Sequence, residues 1–331
     1  MLKFNEKEQL EFFKGALALR KEIEVIADKL HEETYDGVYF VGIGGTYASS
    51  LQVANHTKEL SDLPIYVEHA AEYLVMGNKR ITKDSLIVYS SVTGTTKEVV
   101  EAVKELKKKG CRIMAFVDEK NSILAELGDY VISYKLNEQL KFFMFMDRLM
   151  YKKGDFDEYE DMYQEFDKYL PQALVDVEKQ ADEFGKEFAQ RHHNDEMHYM
   201  VGAGNQWGAT YSYAMCYWEE QHWLKTKSIT APEFFHGMFE IVTKDTPVTI
   251  FVGEDKQRAL SERVVNFIFK ICGNYEVIDT KDYKLKGISD KYRGHICHLV
   301  MMAITRRIDA HIERINCHPV EIRRYYRQFD Y

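Results

Sequence analysis

The feature that most constrains this 331-residue chain is a strand, a glycine turn and a small-residue helix that occur together twice. The first copy reads Gly37-Val38-Tyr39-Phe40-Val41-Gly42, then Ile43-Gly44-Gly45-Thr46-Tyr47-Ala48-Ser49-Ser50. The second reads Met197-His198-Tyr199-Met200-Val201-Gly202-Ala203-Gly204-Asn205-Gln206. An apolar run that ends in glycine and passes into a helical pattern is the βα unit of a parallel sheet. Further strands are expected at 65–67, 86–89, 112–117 and 130–134, with helical patterns between them. In the second half, strands are expected at 248–252 and 276–278 and helices at about 257–271 and 292–314. The expected fold is therefore α/β, with two tandem subdomains that each hold a doubly wound, mostly parallel sheet flanked by helices. The first is read at 1–135, including a charged amphipathic helix over about 7–32, and the second at 196–331. The acidic, aromatic stretch 136–195 between them has helical spacing and reads as a connector.

Ser90-Ser91-Val92-Thr93-Gly94-Thr95-Thr96 follows the apolar run 86–89 and precedes the helical pattern that begins at Lys97. Hydroxyl residues fill five of these seven positions, where a simple N-cap needs one. Such a turn offers hydroxyls and backbone N–H groups to one point at the positive end of a helix, which suits an oxyanion such as phosphate. The corresponding place in the second half holds Val252-Gly253-Glu254-Asp255, and two acids do not cradle a phosphate. The net charge of −9 means that an anionic ligand needs a local site, and it argues against nucleic-acid or anionic-membrane partners. Gly42-Ile43-Gly44-Gly45 departs from the dinucleotide fingerprint, because Tyr47 stands where a third glycine belongs, so a nicotinamide cofactor is not expected. The five cysteines are scattered without paired spacing and suggest neither a disulfide framework nor a zinc site. With no apolar leader and no membrane-length window, the chain is expected to be soluble and cytoplasmic.

Two segments of the second half carry groups suited to proton transfer: Tyr217-Trp218-Glu219-Glu220-Gln221-His222-Trp223 and Pro232-Glu233-Phe234-Phe235-His236-Gly237-Met238. A desolvated glutamate abstracts a carbon-bound proton, and a histidine gives or takes one near neutral pH. From spacing alone, an acidic helix face accounts equally well for Glu219 and Glu220, and a core position for His236. Trp218 and Trp223 either desolvate a carboxylate or belong to the core.

With these motifs in place, the chain resembles the sugar isomerase (SIS) domain family. Ser91-Val92-Thr93-Gly94-Thr95-Thr96 is similar to the family's phosphate loop, and Glu233-Phe234-Phe235-His236-Gly237 to its Glu-x-x-His-Gly-Pro signature. The duplication, the connector and the tail from Arg323-Arg324-Tyr325-Tyr326 to Tyr331 extend the likeness over nearly the whole chain, towards the fructosamine-6-phosphate deglycases. The resemblance implies phosphate contacts from Ser91, Thr93 and Thr96, and sugar or phosphate contacts from Gly45 and Thr46. It implies Glu220 as the catalytic carboxylate and His236 as the ring-opening histidine. His318, Arg323 and Arg324 are further candidate substrate contacts. It also implies a homodimer in which the histidine segment reaches the partner's site, a phosphorylated amino-sugar substrate, and no metal or organic cofactor. Met238 replaces the signature's proline, and Tyr217 stands where the amidotransferase-linked members have a catalytic lysine. The tail also shows no lysine matching the one those members use. The two missing lysines disfavour their reaction and agree with the deglycase branch, which cleaves an amino sugar to a hexose 6-phosphate and a free amine, while Met238 relaxes the turn after His236 without removing its imidazole. Simple aldose–ketose isomerisation is the alternative, followed by a non-catalytic sugar-phosphate sensor.

Overall fold

A computed structural model describes residues 1–33, 35–326, 328 and 329. Tyr331, the end of the expected tail, lies outside the described residues. The chain divides into two compact units, one of residues 7–171 and the other of residues 1–6 and 172–331.

The first unit opens with helices α1 (Glu6–Ala18) and α2 (Arg20–Glu32). One continuous helix was expected here. The chain instead tightens at Leu19, whose N–H bonds Ala16 O in a three-residue turn, and α2 starts afresh. There follow β1 (Val38–Gly42), α3 (Gly45–Leu60), β2 (Ile65–His69), α4 (Ala70–Met76), β3 (Leu86–Ser91), α5 (Lys97–Lys109), β4 (Arg112–Val117), α6 (Ile123–Leu127), β5 (Tyr130–Ser133) and α7 (Glu138–Lys153). The five strands are parallel, in the order β2-β1-β3-β4-β5. Every residue of β1 and β3 is buried, as expected where helices cover both faces of a parallel sheet. Helix α5 shows the local logic: Val99, Val100, Ala102, Val103 and Leu106 face the core, and Lys107, Lys108 and Lys109 meet the negative helix end. Gly110, at φ 92°, closes the helix in the left-handed conformation.

The stretch 136–195 consists of α7 and α8 (Tyr159–His192). Helix α7 packs on α2 and α3, and Leu140 to Met146 are all buried, so it is part of the first unit's core. Helix α8 spans residues 171 and 172, where the two units divide.

The second unit contains β6 (His198–Gly202), α9 (Asn205–Ser212), a π-helix over Tyr213–His222, β7 (Thr226–Thr230), α10 (Ala231–Phe234), β8 (Val248–Val252), α11 (Arg258–Ile268), β9 (Tyr275–Asp279) and α12 (Asp290–Asn316). Its four parallel strands follow the order β7-β6-β8-β9. Strand β7 has no counterpart in the sequence reading: its residues Thr-Lys-Ser-Ile-Thr are half-buried apart from exposed Lys227 and lack the apolar run of the central strands. The duplication is visible in backbone angles. Gly44 caps α3 at φ 61°, ψ −128°, and Gly204 caps α9 at φ 58°, ψ −132°.

No helix among the described residues is long and apolar enough to cross a membrane.

Candidate functional site

In both sheets the first and third strands lie side by side while their connections run to opposite sides, which makes a switch point where ligands of open α/β sheets collect. In the first unit the turns at this point are 42–46, after β1, and 91–96, after β3. The glycine turn is held by Thr46, whose Oγ1 accepts the Ile43 N–H at 3.2 Å and donates to Ile43 O at 3.0 Å. Gly45 begins α3 directly after it.

The hydroxyl turn is built around Gly94. Its φ is 66°, and a Cβ there would lie 2.2 Å from Ser122 Oγ, so both the backbone angle and the space demand glycine. Its N–H donates to Ser91 Oγ at 3.0 Å, and its carbonyl accepts Leu124 N–H at 3.1 Å. Thr95 Oγ1 donates to Thr93 Oγ1 at 3.3 Å. Thr96 takes the N-cap position of α5 with an extended backbone, yet its hydroxyl makes no capping bond. Thr93 and Thr96 are half-buried, and Ser90 and Ser91 are buried. Ser91, Thr93 and Thr96 thus gather at one helix N-terminus, with a threonine that is not spent on the helix it begins.

Sequence reasoning missed Glu138, in the stretch read as connector. Leu136 and Asn137 adopt left-handed angles, φ 58° and 53°, and turn the start of α7 back towards the sheet. The half-buried Glu138 side chain lies there beside the hydroxyls of Ser49 and Ser90. Burial holds its pKa above the usual carboxylate range, while those hydroxyls and Lys141 oppose the shift. Lys141 is fully buried, donates to Tyr134 O at 2.7 Å and lies 3.5 Å from Asp118; burial lowers its pKa. The sequence signal was a polar run, Asn137-Glu138-Gln139, ahead of the apolar Phe142 to Met146.

At the switch point of the second unit the chain supplies its own anion. Asp255 Oδ2 accepts Asn205 N–H at 3.0 Å, and Oδ1 accepts Gln257 N–H at 2.8 Å. A Cβ on Gly204 would lie 2.3 Å from Asp255 Oδ1, so the carboxylate fills the hollow of the glycine turn. Glu254 pairs with Arg293 through bonds of 2.7 and 2.9 Å.

Glu220 lies on the π-helix, which is a strained, uncommon form often found at functional sites. The segment is anchored by Asp309 of α12, which accepts from Tyr213 Oη at 3.0 Å and pairs with His222 Nε2 at 3.1 Å; burial raises the Asp309 pKa. Trp218 is fully buried in the core, 4.7 Å from the ring of His198. His198 and His192 in turn share one oxygen of Asp195, each at 2.8 Å, and His198 Nε2 meets Thr249 Oγ1 at 2.7 Å. The two adjacent acids are told apart by their partners: Glu219 is exposed and accepts from Thr226 Oγ1 at 2.7 Å, whereas half-buried Glu220 accepts Arg323 Nε at 2.8 Å. His318 packs on Trp223 at 4.1 Å between ring centroids, and Arg324 lies over the same ring at 4.0 Å. The structure therefore gathers Glu220, Trp223, His318, Arg323 and Arg324 into one cluster.

His236 follows α10 and is exposed. Its backbone N–H bonds Glu233 O at 2.9 Å, and no group among the described residues hydrogen-bonds its imidazole. Met238 is buried at the start of a 3₁₀ turn, and Gly237, at φ 147°, makes the bend before it.

Residues 35–148 match the SIS domain. The chain is 27% identical over 325 residues to fructosamine deglycase FrlB of Bacillus subtilis (strain 168), a likeness that covers 95% of this chain and 98% of that protein. It is 23% identical over 310 residues to fructoselysine 6-phosphate deglycase of Escherichia coli (strain K12), covering 92% and 89%. A crystal structure from Bacillus subtilis, proposed to be a phosphosugar isomerase, superposes with a TM-score of 0.89 at 26% identity over 96% of this chain and 99% of that one.

Proposed function

This chain belongs to the SIS domain family, and from that premise we propose that it is an enzyme of sugar phosphates: a deglycase that splits a 6-phosphorylated fructosamine into glucose 6-phosphate and a free amine. The observation that carries the reading is the turn 91–96, where Ser91, Thr93 and Thr96 stand at the N-terminus of α5 and the N-cap Thr96 makes no side-chain capping bond. The full-length likeness to two deglycases supports cleavage over isomerisation alone.

Ser91, Thr93 and Thr96 hold the phosphate with the N–H groups of the first turn of α5, and the glycine turn at Gly45 and Thr46 borders the sugar. Phosphate anchoring fixes the orientation of the rest of the substrate. His236, exposed and with no hydrogen bond to its imidazole among the described residues, assists opening of the cyclic sugar. Glu220 removes a proton from C1 of the open 1-amino-1-deoxyketose. The resulting enaminol takes a proton at C2 and becomes an aldose imine. Water adds to the imine carbon, the carbon–nitrogen bond breaks, and the nitrogen leaves with the water's proton as the free amine. The C2 carbonyl takes up the electron pair left at C1 as the enaminol forms, and the nitrogen lone pair makes the C1=N bond when C2 is protonated.

His236 stands on the surface, which suits a homodimer in which it serves the partner's site. A coupled assay for glucose 6-phosphate, run on 6-phosphorylated fructosamines with fructose 6-phosphate as control, tests the function. Release of glucose 6-phosphate from the fructosamines is expected. Turnover of fructose 6-phosphate alone would replace the deglycase by an isomerase, and silence on all of them would leave sugar-phosphate binding without catalysis.

A further inference from the structure

Helix α12 ends at Asn316, and Cys317, at φ 49°, turns the tail back towards the end of the π-helix. His318 and Arg324 grip Trp223, and Arg323, between them in sequence, delivers its guanidinium to Glu220. Among the described residues the guanidinium is only partly used. Nε donates to Glu220 Oε1 at 2.8 Å, and Nη1 donates to the carbonyls of Val320 and Ile322, while Nη2 donates to no group among the described residues. The Nε–Nη2 edge of arginine is a two-pronged donor shaped for both oxygens of a carboxylate, and Glu220 occupies one prong. Through Oε1 the same bond ties the Glu220 carboxylate to the tail, and moving the guanidinium to another anion would leave that carboxylate free to turn.

We propose that Arg323 recognises the carboxylate of the substrate's amine half, exchanging Glu220 for it on the Nε–Nη2 edge and so releasing the base when the correct substrate is bound. This rests on the reading of Glu220 as the base of a deglycase. Glu220 then acts at C1, the carbon that bears the nitrogen. In an amino acid glycated on its α-nitrogen, the carboxylate sits one carbon beyond that nitrogen, within reach of a guanidinium already hydrogen-bonded to the base. In a lysine glycated on its side-chain nitrogen, the carboxylate lies at the far end of the chain. The substrate class so identified is the 6-phosphorylated α-glycated amino acids.

The isomeric α- and ε-fructosyllysine 6-phosphates have the same composition and differ in where the carboxylate lies, so they isolate this contact. Wild-type enzyme is expected to prefer the α-isomer by about 30-fold or more in kcat/KM, the scale of a hydrogen-bonded charge pair, with part of the preference in kcat because the base is released. Arg323→Gln should bring the ratio of the two isomers towards one, and Arg323→Lys, which keeps the charge without the fork, should retain part of it. A ratio near one in the wild type, a preference for the ε-isomer, or a ratio unchanged by Arg323→Gln would overturn the assignment while leaving the deglycase intact. Failure of both isomers to release glucose 6-phosphate would remove the deglycase reading itself, and this inference with it.

Discussion

Asp255 accepts the backbone N–H of Asn205 at 3.0 Å, in the second sheet's counterpart of the place where the first sheet gathers its hydroxyls. One half of the duplicated fold presents an open donor-rich mouth, and the other has closed its mouth with a carboxylate of its own. Asp255→Ala would strand the N–H groups of Asn205 and Gln257, each costing about 1–3 kcal/mol if left unpaired. Urea unfolding should show a loss of about 2 kcal/mol or more, and a smaller one for Asp255→Asn, which keeps an acceptor. An unchanged midpoint for Asp255→Ala would mean that the carboxylate is not needed there.

Thr96 separates binding from stability. A capping threonine costs about 1 kcal/mol of stability when removed, but this hydroxyl makes no capping bond. Thr96→Val should therefore keep stability within about 0.5 kcal/mol and raise KM about 10-fold, the worth of one hydrogen bond to a charged group. Loss of stability with KM intact would return Thr96 to an ordinary cap.

Glu220→Gln removes the proposed base with little change in volume. A fall in kcat of about 10²-fold or more is expected, with phosphosugar binding retained in calorimetry. Substantial residual turnover would reject Glu220 as the proton carrier.

The dimer proposal is checked by complementation. Glu220→Gln and His236→Ala chains, each inactive alone, are mixed under subunit exchange. If His236 serves the partner's site, every mixed dimer regains one intact pair, and activity should approach about a quarter of wild type. No recovery after proven exchange would confine His236 to its own chain.

Glu138 gives a pH signature. Burial raises its folded pKa above the ordinary value of 4.5, so the native state holds this proton more tightly than the unfolded chain does. Its contribution to stability is full below that ordinary value and is lost as pH rises through the raised folded value. Wild type should therefore lose stability over this window relative to Glu138→Gln, which carries no titrating group. Parallel pH–stability curves for the two proteins would show that the Glu138 carboxyl is solvated.

The alternation of apolar runs with glycine turns located the central strands, because strands buried on both faces have little room for polar residues: β1, β3, β4 and β8 fall where such runs stand. Strand β7 escaped because its Thr-Lys-Ser-Ile-Thr has no such run. The hydroxyl turn was legible for a related reason, since its residue types are too many for a cap. What the sequence did not show were contacts between distant segments. Glu138 meets Ser49 and Ser90 only because two left-handed residues fold α7 back, and Arg323 meets Glu220 only because Cys317 reverses the tail. Neither meeting leaves a periodicity to read. Glu219 and Glu220, alike in spacing, differ in their partners: exposed Glu219 meets Thr226 and half-buried Glu220 meets Arg323.

The π-helical path of residues 213–222 makes the aim of Glu220 a property of chain length. An α-helix turns about 100° per residue, and a π-helix arises where one extra residue is accommodated without lengthening the span. Removing a single residue between Tyr213 and Trp218 would let the segment relax to an ordinary helix with later bearings kept, whereas a one-residue deletion in α9, ahead of the π-helix, would swing every later side chain about 100° around the axis. Glu220 would leave Arg323, and Glu219 would take a new bearing. A one-residue deletion ahead of the π-helix, rather than a substitution, is thus the change that most alters the aim of this carboxylate.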